Sequence, residues 1–214
     1  MSAQGIIEQP VQRIARNTVP QDTVPLAHWL LGKVLVGKVR GVQISGRIVE
    51  TEAYLQHEPA CHGFRGMTPR NRSLFLEHGH AYVYLCYGTS YMLNVSGDAQ
   101  GIGSGVLLRA LQPLTGIEQM RRGGRPHRRS RVRPADVTRG PGRLAAAFRV
   151  DRRYDGLDLF TGPQLWIGSD AYEVETVGIS VRIGITKAAE ERLRFFVAGS
   201  PYLSGTRTLN AWRA

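Results

Sequence analysis

The sequence predicts an α+β fold: a single domain with a curved, mostly antiparallel β-sheet, flanking helices and a protruding β-hairpin. Three observations lead there. Stretches with strand-like patterning dominate, and they do not alternate with helical ones as βαβ units would. The 214 residues, 42% hydrophobic and 21% charged, suffice for one substantial core. Near the middle, AYVYLCYGTSYMLNVS reads as two apolar strands joined by a Gly-containing turn.

Taken in order, residues 1–18 form a polar arm, expected to be flexible, and residues 19–214 form the domain. VPLAHWLLGKVLV predicts a helix with Pro25 in its first turn and Gly32 as its stop, running into a strand around Val34 to Val36. GVQISGRIVETEAYL predicts one long strand or a hairpin. TPRNRSLFLEHGH is loop with a short helical turn, and the hairpin after it turns at Gly88-Thr89-Ser90. SGVLLRALQPL predicts a buried strand broken by Pro113. LTGIEQMRR begins a helix that enters an arginine-rich loop, about residues 121–138. GPGRLAAAFRV opens a short helix on Pro and Gly, and VGISVRIGI with LRFFVAGSP supplies two closing strands.

Charge narrows the function. Twenty-eight basic residues against 17 acidic ones give +11, and all but Lys33, Lys38 and Lys187 of the basic set are arginine. Arginine's planar fork suits phosphate, so nucleic acid is the simplest partner, although a high-GC genome also enriches arginine. The segment RRGGRPHRRSRVR, 121–133, holds seven arginines and no acid. No apolar run approaches the roughly 20 residues of a membrane span, and the N-terminus lacks a signal peptide's apolar stretch. An intracellular protein, cytoplasmic in a bacterial-type cell, is expected. Cys61 and Cys86 form no CxxC pattern, His57, His62, His78 and His80 have no metal-ligand spacing, and no motif calls for a cofactor.

Three segments carry candidate chemistry. On a strand through RIVETEAYL, Ile44, Ile48, Glu50, Glu52 and Tyr54 share one face, which places two acids on an apolar side. Burying a carboxylate costs several kcal/mol unless it is paired. Two strand positions span roughly 7 Å, close to the carboxylate spacing of an inverting glycoside hydrolase, so sugar chemistry stays open; a bulge that leaves both acids solvated is the plainer alternative. In the hairpin, Tyr82 and Tyr84 share a face and Tyr87 falls near the tip. A tip aromatic on a basic protein suits insertion between bases, whereas most strand tyrosines simply pack the sheet. Arg109, inside VLLRAL, either reaches a solvated edge or turns inward to pair with Glu50 or Glu52.

Together, RIVETEAYL, the HG that follows, TPRNR, YVYLCYGTSYMLN, GVLLRALQPL, RGPGRL and LRFFVAGSP resemble, in this order and from about residue 19 to 203, the alkyladenine (3-methyladenine, methylpurine) DNA glycosylase family. The resemblance implies an enzyme of base-excision repair. It flips alkylated purines out of duplex DNA and hydrolyses the N-glycosidic bond, with 3-methyladenine the safest substrate and hypoxanthine or ethenoadenine less so. By that resemblance Tyr87 replaces the flipped nucleotide, and the base is held between Tyr54 and His62 on one side and Tyr84 on the other. Asn94 rejects guanine, Glu52 activates water, and Arg109 orients Glu52 or a phosphate. Arg70, Arg72, Arg121, Arg122, Arg139 and Arg143 are expected at the DNA backbone. Glu50 is expected to be structural. With no lysine in the pocket segments to form a Schiff base, the enzyme is expected to be monofunctional, and one wedge acting on one base needs only a monomer. Thr89-Ser90 replace bulkier residues at the family's hairpin tip, and the spacing from Glu52 to His62 is one residue short; both bear on substrate breadth. A non-catalytic RNA- or ribosome-binding protein accounts for the charge and the tyrosines, but not for the acids.

Overall fold

The computed structural model of the chain describes residues 10–123 and 133–211. Nine strands form one sheet in which every pairing is antiparallel. They are β1 (Gln12–Arg13), β2 (Val34–Val39), β3 (Val42–Tyr54), β4 (Ala81–Cys86), β5 (Ser90–Gly97), β6 (Ser104–Thr115), β7 (Leu165–Ser169), β8 (Val177–Ser180) and β9 (Arg194–Val197). Their order is β1-β7-β2-β3-β6-β5-β4, with β9 beside the end of β3 and β8 on β9. Three helices flank the sheet among the described residues: α1 (Thr23–Trp29), α2 (Ile117–Gly123) and α3 (Pro141–Ala147).

The predicted α+β fold is present, with instructive differences. α1 ends at Trp29, and the turn that follows it closes at Gly32 with φ +82°; β3 is one long strand. The arm is partly anchored: Gln12 and Arg13 pair with β7, and the Arg13 guanidinium donates to Phe160 O and Gly162 O at 3.1 and 2.9 Å. The sequence reading missed both β1 and β7. Pro113 does not break β6. On that strand Leu111 N donates to Thr138 O on the outer edge, so residue 113, two further on, lacks an N–H only where no strand follows. Residues 124–132 of the arginine-rich segment lie outside the described residues.

A double irregularity in β3 decides which face each residue takes. Ile48 pairs with Leu111 and Glu50 with Ala110, so Val49 is an extra residue; the register then shifts again between Glu50 and Thr51. Ile48 therefore faces the main core with Leu111, Leu108 and Leu144, while Glu50 faces away. The expected grouping of Ile44 and Ile48 with Glu50, Glu52 and Tyr54 is corrected by this bulge. Thr51, on the core side, donates its hydroxyl to Ala27 O of α1 at 2.9 Å. The acids are nonetheless fully buried, because β9 and residues 182–204 cover their face.

The loop after β3 is pressed against the start of β6. A Cβ on Gly63 would sit 2.0 Å from Gly103 O, a backbone atom that cannot yield cheaply. Gly63→Ala is expected to lower stability by about 1–3 kcal/mol, read as a lower urea midpoint, and to disturb the neighbouring His62.

Candidate active site

Strand register lays out the floor of the site. Arg194 on β9 lies opposite Glu52 on β3, Glu52 opposite Leu107 on β6, Leu107 opposite Asn94 on β5, and Asn94 opposite Tyr82 on β4. Directly opposed residues point to the same face, so five strands contribute one row. Tyr54 lies opposite Gly105 in the next row, where Leu74 and the Val95 carbonyl pack so closely that a Cβ would meet them at 2.8 and 2.9 Å. Above this floor is a cavity of about 540 Å³, walled by Tyr54, His62, Tyr82, Tyr84, Met92, Asn94, Leu107 and Arg109, with Arg70, Tyr87 and Pro141 at its edges and Ile183 to Ile185 along one side.

Arg109 turns inward. Its Nε donates to Glu50 Oε1 at 2.9 Å, its Nη1 to Glu52 Oε2 at 3.1 Å, and its Nη2 to the Ser204 hydroxyl at 3.1 Å. Glu50 is further held by Arg194 Nε at 2.8 Å and by the Ser204 amide and hydroxyl at 2.6 and 2.8 Å. Burial works against its ionised form, but Arg109, Arg194 and these hydrogen bonds outweigh it and keep Glu50 below the usual glutamate range. Glu52 receives less. Oε2 accepts from the Tyr54 hydroxyl at 2.8 Å and from Arg109, and Oε1 accepts from Ile183 N at 2.7 Å. Burial prevails over those donors and over Arg109, so Glu52 is held above the usual range. Two acids on one strand are thus pushed apart, one as a fixed anion and one as a group that takes up protons more readily.

The rings are arranged differently from the expected sandwich. His62 packs against Tyr84, with centroids 4.5 Å apart at 65°, and its Nδ1 is 2.7 Å from the Tyr82 hydroxyl. A ring stacked between two others needs roughly twice the ~3.4 Å stacking repeat, so His62 and Tyr84 belong to one wall. Tyr54 stands apart from that pair. Burial, with a smaller contribution from Arg70, lowers the His62 pKa, so its ring is neutral at pH 7. Asn94 is buried and donates its amide nitrogen to Tyr82 O at 3.1 Å.

At the tip, Tyr87 is 92% exposed. The turn centres on Tyr87 and Gly88, one position earlier than expected, with φ of +49° and +66° and Thr89 N donating to Cys86 O at 3.0 Å. A positive φ is unusual for an aromatic residue, and strain of this kind collects at functional positions. Of the expected backbone arginines, Arg70, Arg72, Arg122 and Arg143 are exposed. Arg121 pairs with Glu118 at 2.7 Å, and Arg139 donates to Leu203 O at 2.6 Å, which ties it to the fold. Sequence reasoning missed Glu58, Arg182 and Ile183. The one available signal was a charge inside the apolar run VGISVRIGI. Among the described residues no group of His, Cys, Asp or Glu could hold a metal ion, and no helix is long and apolar enough to cross a membrane.

The family described as methylpurine-DNA glycosylase matches residues 17–201. A protein of Mesorhizobium japonicum named as an inferred 3-methyladenine DNA glycosylase is 58% identical over 196 residues, covering 92% of each chain. One of Paraburkholderia phytofirmans with the same name is 46% identical, over 94% of this chain and 92% of its own. The DNA-3-methyladenine glycosylase of Mus musculus is 41% identical over 90% of this chain and 61% of its own. The chain belongs to the methylpurine-DNA glycosylase family. It is accordingly a DNA repair enzyme, a glycosylase that processes damaged bases.

Removing the Glu50 carboxylate strands Arg109 and Arg194. Glu50→Ala is expected to cost about 3–5 kcal/mol of unfolding free energy in urea. Because its folded pKa is depressed, Glu50 stabilises above the ordinary value of 4.5, and this contribution is lost as pH falls through the lower folded value. Glu50→Gln should therefore flatten the acid side of the stability curve.

Proposed function

We propose that the enzyme flips an alkylated purine, 3-methyladenine first, out of duplex DNA into the cavity and hydrolyses its N-glycosidic bond with water activated by Glu52. The observation that carries this reading is the placement of one proton-accepting carboxylate, with its Tyr54 and Arg109 partners, directly behind the walls of an aromatic pocket that opens beside an exposed tip tyrosine. The cavity volume of about 540 Å³ is ample for a single nucleobase.

Each role follows from chemistry. Tyr87 fills the gap left by the flipped nucleotide, offsetting a few kcal/mol of lost stacking and pairing. The base stacks between Tyr54 on one side and the His62–Tyr84 wall on the other. Alkylation leaves the purine cationic, so tyrosine faces attract it and a neutral His62 does not repel it. Asn94 limits the pocket floor and excludes guanine's exocyclic amine. Glu52 takes a proton from the water that attacks C1′, and its negative charge stabilises the oxocarbenium-like sugar. Arg109 keeps the carboxylate aimed. The exposed Arg70, Arg72, Arg122 and Arg143 contact phosphates. No lysine lines the cavity, so no Schiff base forms and the product is an intact strand with an abasic site. A monomer is sufficient. Hypoxanthine and ethenoadenine, which lack the charge, are weaker substrates.

In single-turnover assays on methylated duplex DNA, the wild type should release 3-methyladenine, with strand breaks appearing only after alkali. Glu52→Gln should lose at least about a hundredfold in rate while still binding lesions. Equal release by both proteins would remove Glu52 as the base. For the wild type, Glu52 must be ionised to act and its pKa is raised, so the acid limb of the rate–pH profile should lie above the ordinary glutamate value of 4.5. Tyr87→Ala should weaken discrimination between damaged and undamaged DNA, measured by competition binding.

A further inference from the structure

Arg182 follows β8 and is 4% exposed, yet it does not approach the arginine cluster around Glu50. Its guanidinium lies over the Tyr54 ring, 4.7 Å from the centroid. Two of its nitrogens grip the Glu58 carboxylate, Nη1 at 2.6 Å and Nη2 at a shorter contact, and Nη1 also donates to Ala53 O at 2.8 Å. Glu58 in turn accepts from Leu55 N at 2.8 Å, pinning the turn that immediately follows Tyr54. Nε has no acceptor among the described residues, so stacking on Tyr54 and pairing with Glu58 set the position of this side chain. The residue after Arg182 is Ile183, whose amide donates to Glu52 Oε1.

We propose that the Arg182–Glu58 pair is a positioning clamp for the glycosylase reaction, holding the Tyr54 stacking wall and the Ile183 amide in fixed relation to Glu52. This rests on the reading of Glu52 as the base. The clamp touches neither base nor water. One face of Tyr54 is occupied by Arg182, which leaves the opposite face for the purine and fixes the side from which the base is stacked. Glu58 neutralises Arg182, so the charge behind Tyr54 does not repel a cationic purine in front of it. Lysine cannot replace it, because a point charge on a flexible stem neither stacks flat on the ring nor grips the carboxylate at two points.

The charged and titratable groups around Glu52 are Glu50 and Tyr54 on its own strand, Arg109 on β6, Arg194 opposite it on β9, Arg182 beside Ile183, and Tyr84 on β4. The Ile183 amide favours the ionised form of Glu52, so loosening it moves proton uptake to higher pH. Arg182→Lys should exchange the Ile183 amide hydrogen at least about tenfold faster by NMR. In single-turnover release of 3-methyladenine it should shift the acid limb upward by about one pH unit and lose about 10–100-fold in rate at pH 7. Affinity for undamaged duplex should stay unchanged. If Arg182→Lys does not fold, Glu58→Gln, which keeps the shape of the pair, takes the same measurements. A wild-type pH profile and wild-type Ile183 exchange in a folded variant would overturn the clamp and leave Arg182 a structural residue. Absence of base release by the wild type would count against the proposed function instead; Ile183 exchange would then decide the clamp alone, with faster exchange supporting it and unchanged exchange overturning it.

Discussion

The structure depends on one buried arginine shared between two carboxylates. Arg109 reaches Glu50 with one nitrogen and Glu52 with another, so one cation offsets part of the burial of both acids. Desolvating two anions side by side is expensive, and one cation does not compensate both equally. The chain meets the deficit at Glu50 with Arg194 and Ser204, so the remaining penalty falls on Glu52. That imbalance is what separates a structural anion from a base, and it is built from neighbours rather than from any difference between the two side chains.

Sheet geometry makes the imbalance possible. The extra residue at Val49 rotates the last part of β3, so that Ile48 serves the hydrophobic core while Glu50 and Glu52 serve the opposite face. Without the bulge, a strict two-residue period would put Ile48 on the acids' side and deprive the core of a buried side chain. β9 then pairs beside the bulged segment and brings Arg194 to the acids. Register across β9, β3, β6, β5 and β4 extends the same row to Asn94 and Tyr82, which couples the carboxylate to the pocket floor through rigid elements.

Much of this was legible in the sequence because it is local. Periodicity marked β3 and the hairpin, Gly32 and Pro141 marked helix ends, and the acids of ETEAY beside an apolar run signalled burial. The unread parts are nonlocal. Val49 looks like any strand valine, and its bulge is imposed by the pairing with β6. Pro113 reads as a breaker, yet its missing N–H faces an edge. Glu58 and Arg182, 124 residues apart, carry no mutual signal in a single chain. The family resemblance supplied roles for Tyr54, His62 and Tyr84 and grouped His62 with Tyr54; the 4.5 Å contact sets His62 against Tyr84 instead.

The central claim is that Glu52 and Glu50 are driven to opposite sides of the ordinary glutamate pKa. Carboxyl-carbon NMR of the free enzyme, with each signal assigned by its Glu→Gln variant, tests this without DNA. The account predicts that Glu52 titrates above 4.5 and Glu50 below it. A Glu52 that titrates at or below Glu50 would contradict it.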